Sequence, residues 1–583
     1  MTLTLRKCAM ATAVLGALAA GDASAALRLS DALEGNWFDP AADGRGVQFE
    51  IAPHPDGDGS HLAVTLLFTY DAAGKPLWLI AAPRISEFGY TGTADLIKVE
   101  GGNFGSPIPP GSLTNEVVGQ MTLTFNSCTS ATMDLQMTPA SGLQSFTWNL
   151  VPVTGVGQPS CVYQRKFEGC PSFATPAPAY GERACMISGS FLGQDITLTN
   201  EITWVIDQKV NIGGDNAQQS ILRIEPGTLL VSSGDSFDHI AVNRGSKIYA
   251  EGRQYAPIIL TSPKELPGFG GEPAPQDVGG LVISGNAPAN CNPNCVAEWD
   301  NTNRYGGSDP MDNSGIIRYM QVRYAGYVFA PNRELNSFTL NAVGAGTTLE
   351  YLQSYKGADD GIEFFGGTAN VRYFVDVCGG DDSIDWDEGY SGKMQFALVV
   401  QQGCAGEDHG FEVSNSPTNF DATPRSRPTI ANFTLIGGGA GSASSRDGFN
   451  IKEGSGGNWY NGIVTNFKRA CISIEGAATQ AAAGPANALT GVLTINNTII
   501  NCANNYREGT GVTAGYAQAW FTGQAGNVAG DPQLSGFLPT GTVHLNKHFK
   551  PTSDWFMPTD YAGAFRSNRR EDNWTLGWTK GVN

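Results

Sequence analysis

The sequence predicts an all-β protein: a right-handed parallel β-helix preceded by a smaller β-sandwich or barrel-like domain. Three observations lead there. A short phrase recurs through the second half of the chain. Each copy is followed by a second alternating run rich in branched and aromatic residues. Glycine, 74 of 583 residues, punctuates both, while charged residues make up only 16% and no long amphipathic helical pattern appears.

The phrase reads Asp359-Asp360-Gly361-Ile362-Glu363-Phe364, then Asp381-Asp382-Ser383-Ile384-Asp385-Trp386, then Asp408-His409-Gly410-Phe411-Glu412-Val413, then Arg446-Asp447-Gly448-Phe449-Asn450-Ile451, then Arg469-Ala470-Cys471-Ile472-Ser473-Ile474. Aligned at the Gly/Ser/Cys column, the copies stand 22, 27, 38 and 23 residues apart, the size of one solenoid coil. The second runs include Val371-Arg372-Tyr373-Phe374-Val375 and Met394-Gln395-Phe396-Ala397-Leu398. Coils stack at about 4.8 Å, so equivalent residues form ladders.

From the beginning, Arg6-Lys7, an apolar run from Ala9 to Ala20 and Ala23-Ser24-Ala25 read as a signal peptide over residues 1–25. That run is too short to span a membrane, and no other stretch approaches the ~20 residues a span needs. The expected location is secreted or cell-surface, with the periplasm also compatible. Residues 34–165 open a separate β domain. There Leu67 to Tyr70 and Leu77 to Leu79 flank an Asp71-Ala72-Ala73-Gly74-Lys75 turn, which predicts a hairpin. Trp37, Tyr70 and Trp78 suit core packing better than sugar stacking. Pro- and Ala-rich residues 166–186 read as a linker, and 187–583 as the β-helix with a C-terminal cap.

Ten cysteines follow the signal peptide, enough for five disulfides in an oxidising compartment. Cys378 and Cys404 end equivalent strands of adjacent coils. Cys128 with Cys161 and Cys170 with Cys185 are local pairs, and Cys291 with Cys295 closes a tight loop. No Cys-x-x-Cys pair or His partner supports a metal instead.

The net charge of −19 and pI near 4.7 exclude nucleic acid and anionic membrane as partners. Much of that charge is local: between Gly357 and Val413 twelve carboxylates face only Arg372 and Lys393. By parity with the apolar Ile362, Ile384 and Phe411, the residues Glu363, Asp385 and Glu412 point outward in one column, with Asp359 and Asp360 on the preceding turn. Like charges ~5 Å apart repel by several kcal/mol at an effective dielectric near 20. Three explanations stay open: Ca²⁺ held by Glu363, Asp385, Glu412 and Asp359; catalysis by paired carboxylates; and solvated turn aspartates.

Arg244-Gly245-Ser246-Lys247-Ile248, Gly279-Gly280-Leu281-Val282-Ile283, Asp359 to Gly367 and the closing Trp574-Thr575-Leu576-Gly577-Trp578 resemble a family of secreted or surface bacterial β-helix proteins with a pectin-lyase-like fold. The stretch from residue 34 to 165 resembles a small β domain common in secreted proteobacterial proteins. The order Asp359-Asp360-Gly361, Gly380-Asp381-Asp382, Asp408-His409-Gly410 and Asn450-Ile451-Lys452 also looks like that of polygalacturonases. That resemblance implies Asp360, Asp381 and Asp382 as acid and water-activating base of an inverting hydrolysis, with His409 tuning their protonation and Lys452 binding a uronate. It departs where Asn450 stands in place of an Arg. If these aspartates form a catalytic cluster, removing the charge of Asp382 should leave the fold equally or more stable, whereas a Ca²⁺ site predicts lower stability in metal and a solvated turn almost no change.

The leading functional expectation is a secreted or cell-surface protein that binds polysaccharide or another extended polymer, stabilised by Ca²⁺, with Trp386 and Tyr390 beside the ladder as contact residues. A polysaccharide hydrolase or lyase is the alternative. A structural adhesin or envelope scaffold is the third.

Overall fold

The computed structural model describes residues 33–582 apart from 43, 56–59, 102–112, 154–166, 294, 331–332, 486–488 and 551–552. The expected signal peptide and Cys161 therefore lie outside the described residues.

The N-terminal unit is a closed barrel. Eight antiparallel strands run from Gly35–Phe38 to Phe146–Pro152, and pairing of Gly46–Pro53 with His61–Tyr70 completes the ring. Alternation sends Phe49, Leu67, Met121 and Phe125 inward. Trp37 joins this core edge-on to Phe49 and Phe125. Tyr70 and Trp78 instead lie on the outer face and are about half exposed. The hairpin turn forms where the sequence put it, because Asp71 Oδ1 accepts hydrogen bonds from the backbone N–H of Ala73 and Lys75 at 2.9 and 2.8 Å.

From Ala184 onward the chain winds into a parallel β-helix whose strands stack in register. Phe338, Ile362, Ile384, Phe411, Phe449 and Ile472 form one inward column. Glycine holds the turn before the strand because the next coil comes so close. A Cβ at Gly448 would stand 2.3 Å from Val464 Cγ1 and 2.6 Å from the Cys471 carbonyl oxygen.

A second column was not visible in the sequence. In the longer strand of each coil one residue takes a left-handed φ and turns a corner: Tyr319, Tyr351, Tyr373 and Phe396, then Asn432 and Asn461. Non-glycine residues rarely adopt this conformation, with asparagine the usual exception. Here the aromatic ones stack at 4.1, 4.3 and 4.9 Å, which offsets the local strain. Trp578 packs edge-on against the first two rings.

The segment expected as a linker is bound to the first coil by the Cys170–Cys185 disulfide, and Phe173 stacks on Trp204 at 5.9 Å. The closing segment, expected as a cap, runs back along the flank as a strap. Buried Asn and Gln side chains hold its backbone: Asn432 donates to the Tyr561 carbonyl at 2.9 Å, Gln395 to Met557 at 2.7 Å and Gln353 to Lys580 at 2.7 Å. The far end of the solenoid is covered by the helix Tyr516–Thr522, which buries Trp520 and Phe521. Disulfides Cys291–Cys295, Cys378–Cys404 and Cys471–Cys502 tie loops and coils together, and Cys128 is also disulfide-bonded. No described helix is long and apolar enough to cross a membrane.

Barrel, solenoid and strap meet at one buried charge cluster. The fully buried Arg323 reaches Glu87 of the barrel at 3.0 Å and Glu265 at 2.9 Å, while Lys580 of the strap reaches Glu87 at 3.0 Å. Burial alone would raise the Glu87 carboxyl, yet Arg323 and Lys580 hold it well below the ordinary range. A depressed carboxyl stabilises the fold above its unfolded pKa of about 4.3, and that contribution is lost as pH falls through the folded value. Barrel and solenoid should therefore stay joined at pH 3, where Glu87 is still ionised in the folded state, and the linkage should become protease-sensitive only in stronger acid. At neutral pH Glu87→Gln should cost about 3–5 kcal/mol, read from urea unfolding.

Candidate functional site

Stacking converts the repeated phrase into three parallel columns on one face. On the strand, Thr339, Glu363, Asp385, Glu412, Asn450, Ser473 and Arg507 follow one another in register. On the turn, backbone hydrogen bonds link Asp381 to Asp408, Asp408 to Arg446 and Arg446 to Arg469. Between them lie Asp360, Asp382, His409 and Asp447, linked by Gly361 N–H to the Asp382 carbonyl, Ser383 N–H to His409 and Gly410 N–H to Asp447. The strand and outer turn columns begin or become acidic in the early coils and end in arginine.

That gradient divides the face. In the later coils every acid that the columns expose meets a base. Arg446 contacts Asp408 at 3.1 Å, Lys452 contacts Glu412 at 2.5 Å, and Arg469 donates through Nε to Asp447 at 2.9 Å. Asn450 adds a hydrogen bond to Glu412 at 2.8 Å. His409 is buried between carboxylates, with Nδ1 2.8 Å from Asp382 Oδ1, whose same oxygen accepts from the His409 backbone N–H. Burial would lower the imidazole, but Asp382 and then Asp408 raise it to about 9, so it is a cation at neutral pH.

In the earlier coils no such neutralisation occurs among the described residues. Oxygens of Asp359, Asp360 and Asp381 lie within 4.8 Å of one another, and so do oxygens of Asp360, Glu363 and Asp385. Asp359 is buried and its Oδ2 has no hydrogen-bond partner. Asp360 Oδ1 accepts from the Asp382 backbone N–H at 3.0 Å, and Glu363 accepts from Asn336 at 2.5 Å. Burial, reinforced by the neighbouring carboxylates, pushes Asp359, Asp360, Glu363 and Asp385 well above the usual range and Asp381 up to about 7.

Two long loops, residues 285–314 and residues 414–428, adjoin this face. The first brings Glu298, raised to about 7 by burial and then by Glu334, into the field of Glu363 and Asp359. The loops are joined where Asn290 Nδ2 donates to the Asn415 carbonyl at 2.8 Å, and Asn290 N–H to the Glu388 carbonyl at 2.8 Å. The result is one face of the solenoid, acidic at one end and salt-bridged at the other.

The family described as a pectate-lyase-like β-helix domain matches residues 190–535, more than half of the chain. The chain belongs to the pectate-lyase-like β-helix family. Among solved structures, the catalytic unit of a thermostable GH87 α-1,3-glucanase from Streptomyces thermodiastaticus strain HF3-3 covers 86% of this chain and 98% of its own, at 10% identity and a TM-score of 0.27. A likeness that distant does not bear on that face. No curated protein matches the sequence.

In this pectate-lyase-like β-helix, Asp360, Asp381, Asp382 and His409 come together, as do Glu363, Asp385 and Asp359. Glu412 belongs to the salt-bridged end, with Lys452 and Asn450 directed onto it. Two contact residues are corrected. Trp386 is fully buried in the inward column, its Nε1 donating to Ser455, and Tyr390 is fully buried, stacked on Phe364 at 4.1 Å and donating to the Ala369 carbonyl. Parity in a half-buried strand forces Trp386 inward, and the large ring of Tyr390 fills the corner beside it. The sequence reading missed Glu298 and Glu334, which carry no repeat signal, and Arg446 and Arg469, which stand in the repeat column and were legible there.

The contacts of Asp382 bear on which sign its substitution should show. Its oxygen anchors a buried histidine cation, so Asp382→Asn should destabilise the fold by about 3–5 kcal/mol instead of relieving crowding. The carboxyls of Asp381 and Asp408 are raised to about 7 and 6, chiefly by burial. Raised carboxyls make the folded state bind more protons, so stability falls as pH rises from about 4 to 7. His409 adds stability that is complete below about 6.5 and lost as pH rises through about 9. In chelator the melting temperature should thus fall from pH 5 to pH 8, with Asp385→Asn flattening the slope.

Proposed function

We propose that this face forms a groove that binds an extended polysaccharide, with Ca²⁺ held at its acidic end by Asp359, Asp360 and Asp381 and by Glu363 and Asp385. One observation carries the reading: among the described residues the acids of the early coils make no salt bridge, although the same columns are neutralised pair by pair one coil later. The oxygen spacing supports it. Two ligands on one Ca²⁺ at about 2.4 Å stand no more than about 4.8 Å apart, and the unpartnered Asp359 Oδ2 gives such an ion a ready oxygen. A hard cation replaces both the missing bases and the protons that crowding otherwise retains. A face that repeats coil after coil along a solenoid suits a polymer better than a compact ligand.

Hydrolysis is the second reading, favoured by Asp381, which is exposed and held near neutrality beside Asp360. Against an inverting pathway, these oxygens lie closer than the roughly 6.5–9.5 Å that leaves room for a water.

Calcium should raise the melting temperature and chelator should reverse it, by about 2.7 kcal/mol at a hundredfold excess over Kd. Asp359→Asn should abolish that rise while leaving the metal-free protein at least as stable. Retention on immobilised polygalacturonate or glucan should require Ca²⁺. A melt indifferent to metal would sink the cation, and release of reducing ends by the wild type alone would establish the second reading.

A further inference from the structure

We infer that a second, independent site at the N-terminal end of the solenoid takes one neutral sugar ring. It is a cavity of about 450 Å³ between the first coils and the loop after Thr261, away from the acidic columns. That volume falls within the range of small-molecule sites.

Two features define its chemistry. Tyr180 and Phe269 stack at 5.4 Å with 27° between their planes, and both line the cavity. Tyr180 is fixed by its hydroxyl, which donates to the Ser233 carbonyl at 2.6 Å, whereas Phe269 is part-exposed. Two acceptors in the same lining lack donors. Asn200 is buried at 7% exposure, and its amide nitrogen is used on the Pro226 carbonyl at 3.1 Å while Oδ1 has no partner. Glu201 accepts from Thr199 through Oε1 at 2.8 Å, while the buried Oε2 has no partner.

Buried acceptors of this kind cost free energy unless a ligand or water supplies hydrogen atoms. A ligand here must therefore donate and carry an apolar face for the rings. Charge narrows the class. Glu201 disfavours an anion, and Arg183 in the same lining disfavours an ammonium group. A hydroxyl donates to Asn200 and Glu201 and accepts from a cation, while the C–H face of a pyranose lies on an aromatic ring. This assignment does not depend on Ca²⁺ or on the groove.

Saturation-transfer NMR of the full chain with methyl glucoside, methyl galactoside and N-acetylglucosamine, each in chelator, tests the inference. Transfer to ring protons of at least one sugar is expected, reduced at least fivefold in Phe269→Ala and in Glu201→Gln, with unchanged melts for the latter. No transfer from any of the three, or equal transfer in both variants, would overturn the site. With glucosamine run as a cationic control, transfer to glucosamine but to none of the three neutral sugars would overturn it in favour of an ammonium site. Loss of the calcium response of the groove would leave these signals in place, so the two readings fail separately.

Discussion

In-register parallel stacking governs this molecule. A coil spacing of about 4.8 Å places each residue directly over its equivalent, so apolar residues pack into continuous columns and like charges are forced together. Phe338 to Ile472 gains from that rule, and Glu363 to Glu412 is strained by it. The chain relieves the strain in two ways along one axis. Arg446, Lys452 and Arg469 neutralise the later coils, and proton uptake by crowded carboxyls relieves the earlier ones. The proposed cation at the acidic end rests on the boundary between those two solutions.

The same rule explains the rest of the scaffold. A corner residue repeated in every coil can hold a left-handed φ because its neighbours above and below stack on it, as Tyr319, Tyr351 and Tyr373 do. The strap completes that flank: buried amides of Gln353, Gln395 and Asn432 find their partners in its backbone. The Glu87–Arg323–Glu265–Lys580 cluster then fastens the barrel to coil and strap together. A rigid platform results, and the two long loops beside the acidic face are joined to each other through Asn290 and Asn415.

The sequence revealed the coil period, the inward and outward parity, the disulfide-linked neighbours Cys378 and Cys404, and the acidic column itself, because these follow from residues a fixed step apart. Trp386 shows the limit of intuition: its parity already pointed inward, yet an aromatic beside acids invites a sugar-binding reading. Asp382 shows a different limit. Its charge was visible, but its pairing with His409 across 27 residues turned an expected repulsion into an anchor.

The sequence by itself determined the fold class and the composition of each ladder, because period-two alternation and coil length are local properties. Only the tertiary structure decided which acids are neutralised, which loops adjoin them and where the last fifty residues run. Those depend on side chains meeting across insertions and from the chain's end: Asn290 on Asn415, Glu298 near Glu363, Lys580 on Glu87. No periodicity encodes such meetings, since each is a single contact fixed by where the folded coils place two distant residues.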